Sequence, residues 1–135
     1  MKRILPFAVL LAMCVACHKD TSVGPANLLF QRWQLLQRKR IGDTAWMVYN
    51  TDGVYDTEYR QDGTLVYRRD GVIQSGQCCR GNLFRRDGAK IIYSDFTSCP
   101  TVFCASVQSV VIQQLTDNLL ELNDGAYIIQ YQSVR

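Results

Sequence analysis

The chain reads as all-β: a small antiparallel meander of about eight strands, closed into a barrel and stapled by disulfides. Three observations predict this. The dipeptide Asp-Gly recurs at 52–53, 62–63, 70–71, 87–88 and 124–125. It suits hairpin turns, because Gly accepts positive φ without a Cβ clash and Asp tolerates it. The stretches between these turns are strand-length and rich in β-branched and aromatic residues. Finally, four cysteines follow the N-terminal region, Cys78, Cys79, Cys99 and Cys104, an even number that favours disulfides in an oxidising compartment.

Lys2 and Arg3 precede a nearly unbroken apolar run over residues 4–15. A run of roughly twelve residues falls short of the ~20 that a membrane-spanning helix needs, so residues 1–16 are expected to be an export signal. Cys14-Val15-Ala16-Cys17 resembles the lipobox of bacterial lipoproteins, in which a small residue precedes the cysteine that is acylated. The resemblance implies cleavage after Ala16 and lipidation of Cys17, with several acyl chains holding the domain at a membrane. The rival reading is an ordinary secretory signal with two incidental cysteines. Residues 17–27 are polar, carry Gly24 and Pro25, and are expected to tether the lipid to a folded domain over residues 28–135.

In that domain the segment 28–40 is ambiguous. Leu29, Trp33 and Leu36 share a helical face, whereas Trp33, Leu35 and Gln37 share a strand face. The expected outcome is a short helical turn near 28–30 and a strand from about Gln31. Further strands are expected over 45–50, 54–61, 64–69, 72–80, 89–96, 106–115, 119–123 and 126–134. Tyr55, Thr57 and Tyr59 alternate onto one face, as do Tyr127, Ile129 and Tyr131. Short turns join neighbouring strands, and about eight strands close into a barrel with room for packed side chains or one modest ligand.

Four cysteines allow three pairings. Bonding the neighbours Cys78 and Cys79 to each other strains the intervening peptide. If they sit on a strand they face opposite sides and take separate partners from Cys99 and Cys104, which bracket the loop 100–103. A four-thiolate metal site is the rival, but the usual pair of Cys-x-x-Cys hooks is missing.

Charge and chemistry exclude more than they assign. With the signal removed, 13 basic residues face 12 acidic ones, which gives no argument for a nucleic-acid partner. The distribution is uneven: residues 30–90 hold eleven Lys and Arg against seven Asp and Glu, and residues 91–135 hold one against four. Solvated strand faces explain this, and so does a basic mouth that attracts an anion. His18 is the only histidine and sits beside the expected lipid anchor, so the folded domain has no imidazole for a triad or a metal cage. Glu58 and Glu121 are the only glutamates, and the aspartates concentrate at turns. Neither a P-loop nor a calcium loop is present in the sequence. The expectation is a non-enzymatic domain with no catalytic residue, no metal and no cofactor. Seven tyrosines, all on expected strands, suit either a ligand cavity or an ordinary sheet.

Trp33-Gln34-Leu35, the hairpin Tyr59-Arg60-Gln61-Asp62-Gly63-Thr64, the run Ile112-Gln113-Gln114-Leu115-Thr116 with 119–122, and the closing Arg135 follow one another in order. Together they resemble the short lipocalin-like lipoproteins of the Bacteroidetes. The resemblance implies a lipocalin-like barrel that binds something small and apolar at the cell envelope, lipid-anchored, with the outer membrane as its place. It also implies a cation–π contact between Trp33 and Arg135, the residues at the two ends of the domain. The alternatives are a protein–protein interaction module presenting the 99–104 loop and a structural accessory domain with no ligand. Ligand identity and oligomeric state stay open.

Overall fold

The computed structural model describes residues 23–49 and 51–135. The expected export signal over 1–16 and Cys17 lie outside the described residues. After a short 3-10 turn at Ala26–Leu29 come ten strands: β1 (Arg32–Arg40), β2 (Met47–Val48), β3 (Tyr55–Tyr59), β4 (Leu65–Arg69), β5 (Val72–Ile73), β6 (Gly81–Asp87), β7 (Lys90–Phe96), β8 (Ser109–Leu115), β9 (Leu119–Asn123) and β10 (Tyr127–Ser133). Every strand pair is antiparallel, in the order β5-β4-β3-β1-β10-β9-β8-β7-β6, with β2 also pairing β1.

The meander therefore closes at its middle, where first and last strands pair from Trp33↔Ser133 to Arg40↔Tyr127. Its nine-strand path curls into a half-barrel. The far edge, β6, swings back to the β3–β4 hairpin through a bridge between Thr64 and Leu83, and the Phe84 N–H donates to Gly63 O at 2.8 Å. That contact covers part of two edges that would otherwise be open.

Four of the five Asp-Gly dipeptides turn hairpins: β3–β4, β4–β5, β6–β7 and β9–β10. At 70–71 both residues have positive φ, 52° for Asp70 and 79° for Gly71, and Arg69 pairs Val72 across them. This is the two-residue turn whose twist matches that of its strands. Asp52-Gly53 instead lies in the β2–β3 connection, where the Asp52 carboxylate accepts from the Tyr55 hydroxyl and from Arg69.

Three expectations about strands need correction. The strand over 72–80 is only the two-residue β5, and the full strand lies further on at Gly81–Asp87. Cys79 explains the shift: its φ of 67° is left-handed, which a strand cannot continue. Cys78 and Cys79 thus sit in a turn and not on opposite faces of a strand. Second, the strand over 45–50 shrinks to Met47–Val48, and that over 106–115 begins at Ser109. Third, β1 does not alternate throughout. Opposite β10, Leu35 pairs Tyr131 but Gln37 pairs Gln130, so Leu36 is an extra residue bulged out of register. A bulge reverses the facing of everything beyond it. Gln37 consequently leaves the face of Trp33 and Leu35 and bonds Gln130 at 2.7 Å, which in turn donates to Glu121.

One end of the half-barrel is filled. Leu29, Trp33, Leu65, Phe84, Ile91, Ile112, Leu115 and Leu120 are buried there, and Tyr59, Val110 and Leu122 continue this core up to the cavity described below. The 3-10 turn caps this end: Leu29 and Trp33 are both 0% exposed, and the Trp33 indole N–H donates to Leu29 O at 3.0 Å. Arg86 secures the approach to that turn, donating to Val23 O at 2.6 Å and Gly24 O at 3.0 Å. The expected Trp33–Arg135 stacking gives way to this arrangement. Arg135 is exposed and donates to Asn118 Oδ1 at 3.0 Å, and the five cation–π contacts of the described residues belong to other pairs.

Candidate functional site

Toward the other end the strands diverge around a cavity. Its first lobe, about 370 Å³, is walled by Tyr59, Tyr93, Phe96, Val107, Val110 and Leu122 and reaches the Cys78–Cys79 turn. Its second, about 420 Å³, is walled by Leu35, Arg38, Tyr55, Asp56, Arg68 and Gln77. Tyr49, Thr57, Tyr67, Arg80, Ile129 and Tyr131 line both, so the two adjoin. Either volume falls in the range of roughly 300–1,000 Å³ usual for small-molecule sites.

Strand alternation supplies most of this wall. Tyr55, Thr57 and Tyr59 share one face of β3, as expected, and that face lines the cavity, as do Ile129 and Tyr131 of β10. Cross-strand register assembles them: Thr57 faces Tyr67, Leu35 faces Tyr131 and, beyond the bulge, Arg38 faces Ile129. Leu36 thus turns a guanidinium into the cavity where simple alternation points a glutamine. Gly81 keeps the opposite wall close. A Cβ there meets Tyr93 Cβ at 3.0 Å and Ser94 O at 3.1 Å, which only glycine avoids, and Gly81 O accepts the Tyr67 hydroxyl at 2.7 Å.

The tyrosines are locked. The Tyr59 and Tyr93 hydroxyls share a hydrogen bond of 2.8 Å, and the Tyr59 ring meets Phe84 edge-on at 4.9 Å between centroids. Burial pushes both phenols far above the ordinary tyrosine range. Burial raises Tyr131 to about 12 against the opposing pull of the Arg80 charge, which is also felt at Tyr67 and Tyr93. These rings are neutral donors and acceptors at any physiological pH.

Charges around the cavity divide into paired and unpaired. Arg68 donates to Glu58 at 2.6 Å and to Asp56 at 3.4 Å, and Arg32 reaches Asp56 at 2.7 Å. Burial works against the Glu58 charge, but hydrogen bonds from Arg68 and Arg60 outweigh it and hold the carboxyl below its usual range. Asp52 is engaged by Arg69 and Tyr55, and Asp124 Oδ1 accepts the Ala126 and Tyr127 N–H groups. Arg38 and Arg80 differ. Arg38 is held between the rings of Tyr49 (4.6 Å) and Tyr127 (4.7 Å), Arg80 lies 5.1 Å over Tyr67, and neither has a carboxylate partner among the described residues.

Two disulfides, Cys78–Cys99 and Cys79–Cys104, tie the turn before β6 to the β7–β8 loop at the cavity's edge. All four of these sulfurs are used, so none is a thiolate available to a metal. Among the described residues no group of three or more His, Cys, Asp or Glu is placed to hold a metal ion. Of the residues singled out from sequence, the structure joins the four cysteines, separates Trp33 from Arg135, and leaves Cys17 outside the described residues. The basic excess over 30–90 allowed a basic mouth, but nothing in it singled out Arg38 or Arg80, and Arg38 faces inward only through the bulge. No family model, no curated protein and no solved structure matches the chain.

Proposed function

We propose that the protein is a lipocalin-like lipoprotein, anchored through Cys17 in the cell envelope at the outer membrane, whose half-barrel binds a small, largely apolar molecule. The observation that carries this reading is the pair of adjoining, tyrosine-walled lobes beside a filled core. A chain needing only a stable scaffold fills its interior, since unfilled space forfeits packing energy. The filled end also takes up the incoming tether, through Arg86 and the 3-10 turn. An anchor at Cys17 therefore attaches to the end of the domain away from the cavity. Function is passive sequestration or handover: the locked hydroxyls and ring-held guanidiniums orient a ligand.

Two measurements test the parts separately. Metabolic labelling with an alkynyl fatty acid tags the native chain and leaves Cys17→Ser unlabelled; equal labelling of both sinks the anchor. Native mass spectrometry of Cys17→Ser exported to a periplasm shows an apolar adduct on the intact domain. A clean apo mass turns attention to a second reading, a protein interaction module. Phe103, 98% exposed on the loop bracketed by Cys99 and Cys104, favours that reading.

A further inference from the structure

We propose that the ligand is an amphipathic anion, a carboxylate on an apolar body, with its head held by Arg38 and Arg80 and its body in the lobe walled by Val110 and Leu122. This rests on the small-molecule reading above and adds the ligand's charge and its direction in the cavity. Arg38 carries the argument furthest. Without the Leu36 bulge the inward position opposite Ile129 falls to a neutral residue; with it, a half-buried guanidinium lines the second lobe. A cation turned inward against a sheet costs desolvation unless something compensates. Tyr49 and Tyr127 compensate with their rings.

The rings answer the guanidinium's charge but offer its N–H groups no oxygen acceptor. The N–H donors lie in its plane, fan outward and suit the two oxygens of a carboxylate. Arg80 is in the same condition: it lies over the Tyr67 ring, and no side-chain acceptor meets its N–H groups among the described residues. Both arginines line the second lobe. The acidic residues there do not cancel them, since Asp56 is committed to Arg32 and Arg68, and Asp52 to Arg69. The Tyr131 hydroxyl, which lines both lobes, has no hydrogen-bond partner among the described residues and adds a neutral donor between them. Arg80 spans both lobes while Arg38 lines only the second, and Val110 and Leu122 line only the first. Of charged residues the first lobe has Arg80 at its shared wall and Asp124, whose Oδ1 already accepts the Ala126 and Tyr127 N–H groups, beside Phe96, Val107, Val110 and Leu122.

The test compares decanoate with its neutral isostere decanamide, titrated calorimetrically into the full chain carrying Cys17→Ser. Decanoate is expected to bind at least about tenfold more tightly, the size of charge-assisted bonds made in a partly desolvated site. In the double variant Arg38→Gln/Arg80→Gln that preference vanishes, decanoate losing the larger share of its affinity, while the residual binding of decanamide reports an intact cavity. Equal affinity for the two probes in the unsubstituted cavity overturns the anion and leaves the small-molecule reading standing. A preference that survives the double substitution overturns the assignment to these arginines. Failure of both probes to bind overturns the small-molecule reading itself.

Discussion

At the Trp33 end, the half-barrel interior is packed with aliphatic side chains and sealed by a 3-10 turn whose Leu29 is fully buried. At the Arg80 end the same strands carry tyrosines and arginines, the walls stand apart, and disulfide-tied loops replace the plug. β10 runs through both, from Tyr127 and Ile129 in the charged half to Ser133 beside Trp33. The same strands build the two ends, so side-chain shape and polarity, together with the Leu36 bulge that turns Arg38 inward, make one a core and the other a container. The lesson is a division of labour. Aliphatic packing supplies stability at one end, and hydroxyl pairs, ring-held cations and cross-links hold open the other.

Breaking the closed end has the largest expected effect. Trp33→Ala removes the ring at the centre of the core and is expected to cost about 3–5 kcal/mol, a large part of a small domain's roughly 5–15 kcal/mol. Urea unfolding checks it; a loss below about 1 kcal/mol is incompatible with Trp33 as the main filler. At the open end, replacing Cys79 and Cys104 together by Ala is expected to cost about 2–4 kcal/mol, read from thermal melting. Hydrogen exchange sharpens the contrast: protection falls over 97–108 and persists in β1 and β10. Uniform loss of protection means the two ends are one cooperative unit.

A smaller effect separates wall from core. Tyr59→Phe leaves the Tyr93 hydroxyl without the 2.8 Å bond and is expected to cost about 1–1.5 kcal/mol. The tyrosine pKa shifts predict an alkaline limit. The folded pKa of Tyr131 is raised from 10.0 to about 12, so its neutral form is favoured by folding. Its contribution is full below the unfolded value and is lost as pH rises through about 12. Ultraviolet titration should show Tyr59, Tyr93 and Tyr131 ionising only after the exposed phenols, and together with unfolding. Smallest of all is Arg135→Ala, expected to stay within about 0.5 kcal/mol with unchanged Trp emission. A change beyond that points to an Arg135 contact with the closed end.

Strand–turn order was legible in the sequence wherever local chemistry dictates it. β9 lies where its residues placed it, and the short helical turn before β1 formed within two residues of the expected position. Asp70-Gly71 turned a hairpin because only such residues accept two positive φ angles in succession. Between 72 and 81 local chemistry misled. Gln77-Cys78-Cys79-Arg80 looks no less strand-like than its neighbours, yet two cross-links to residues 21 and 25 positions away hold it as a turn. Long-range bonds decide such a segment, and single-residue preferences do not contain them.

The sequence by itself determined an all-β chain, four of its hairpin turns and an even set of cysteines. These follow from backbone sterics within a few residues. Only the tertiary structure decided the disulfide pairs, the β1–β10 closure and the inward turn of Arg38. Each of these depends on register between strands far apart in the chain, and one bulged residue reverses the outcome. The cavity belongs to this second group, because a wall is made of residues that meet only after the sheet has curled.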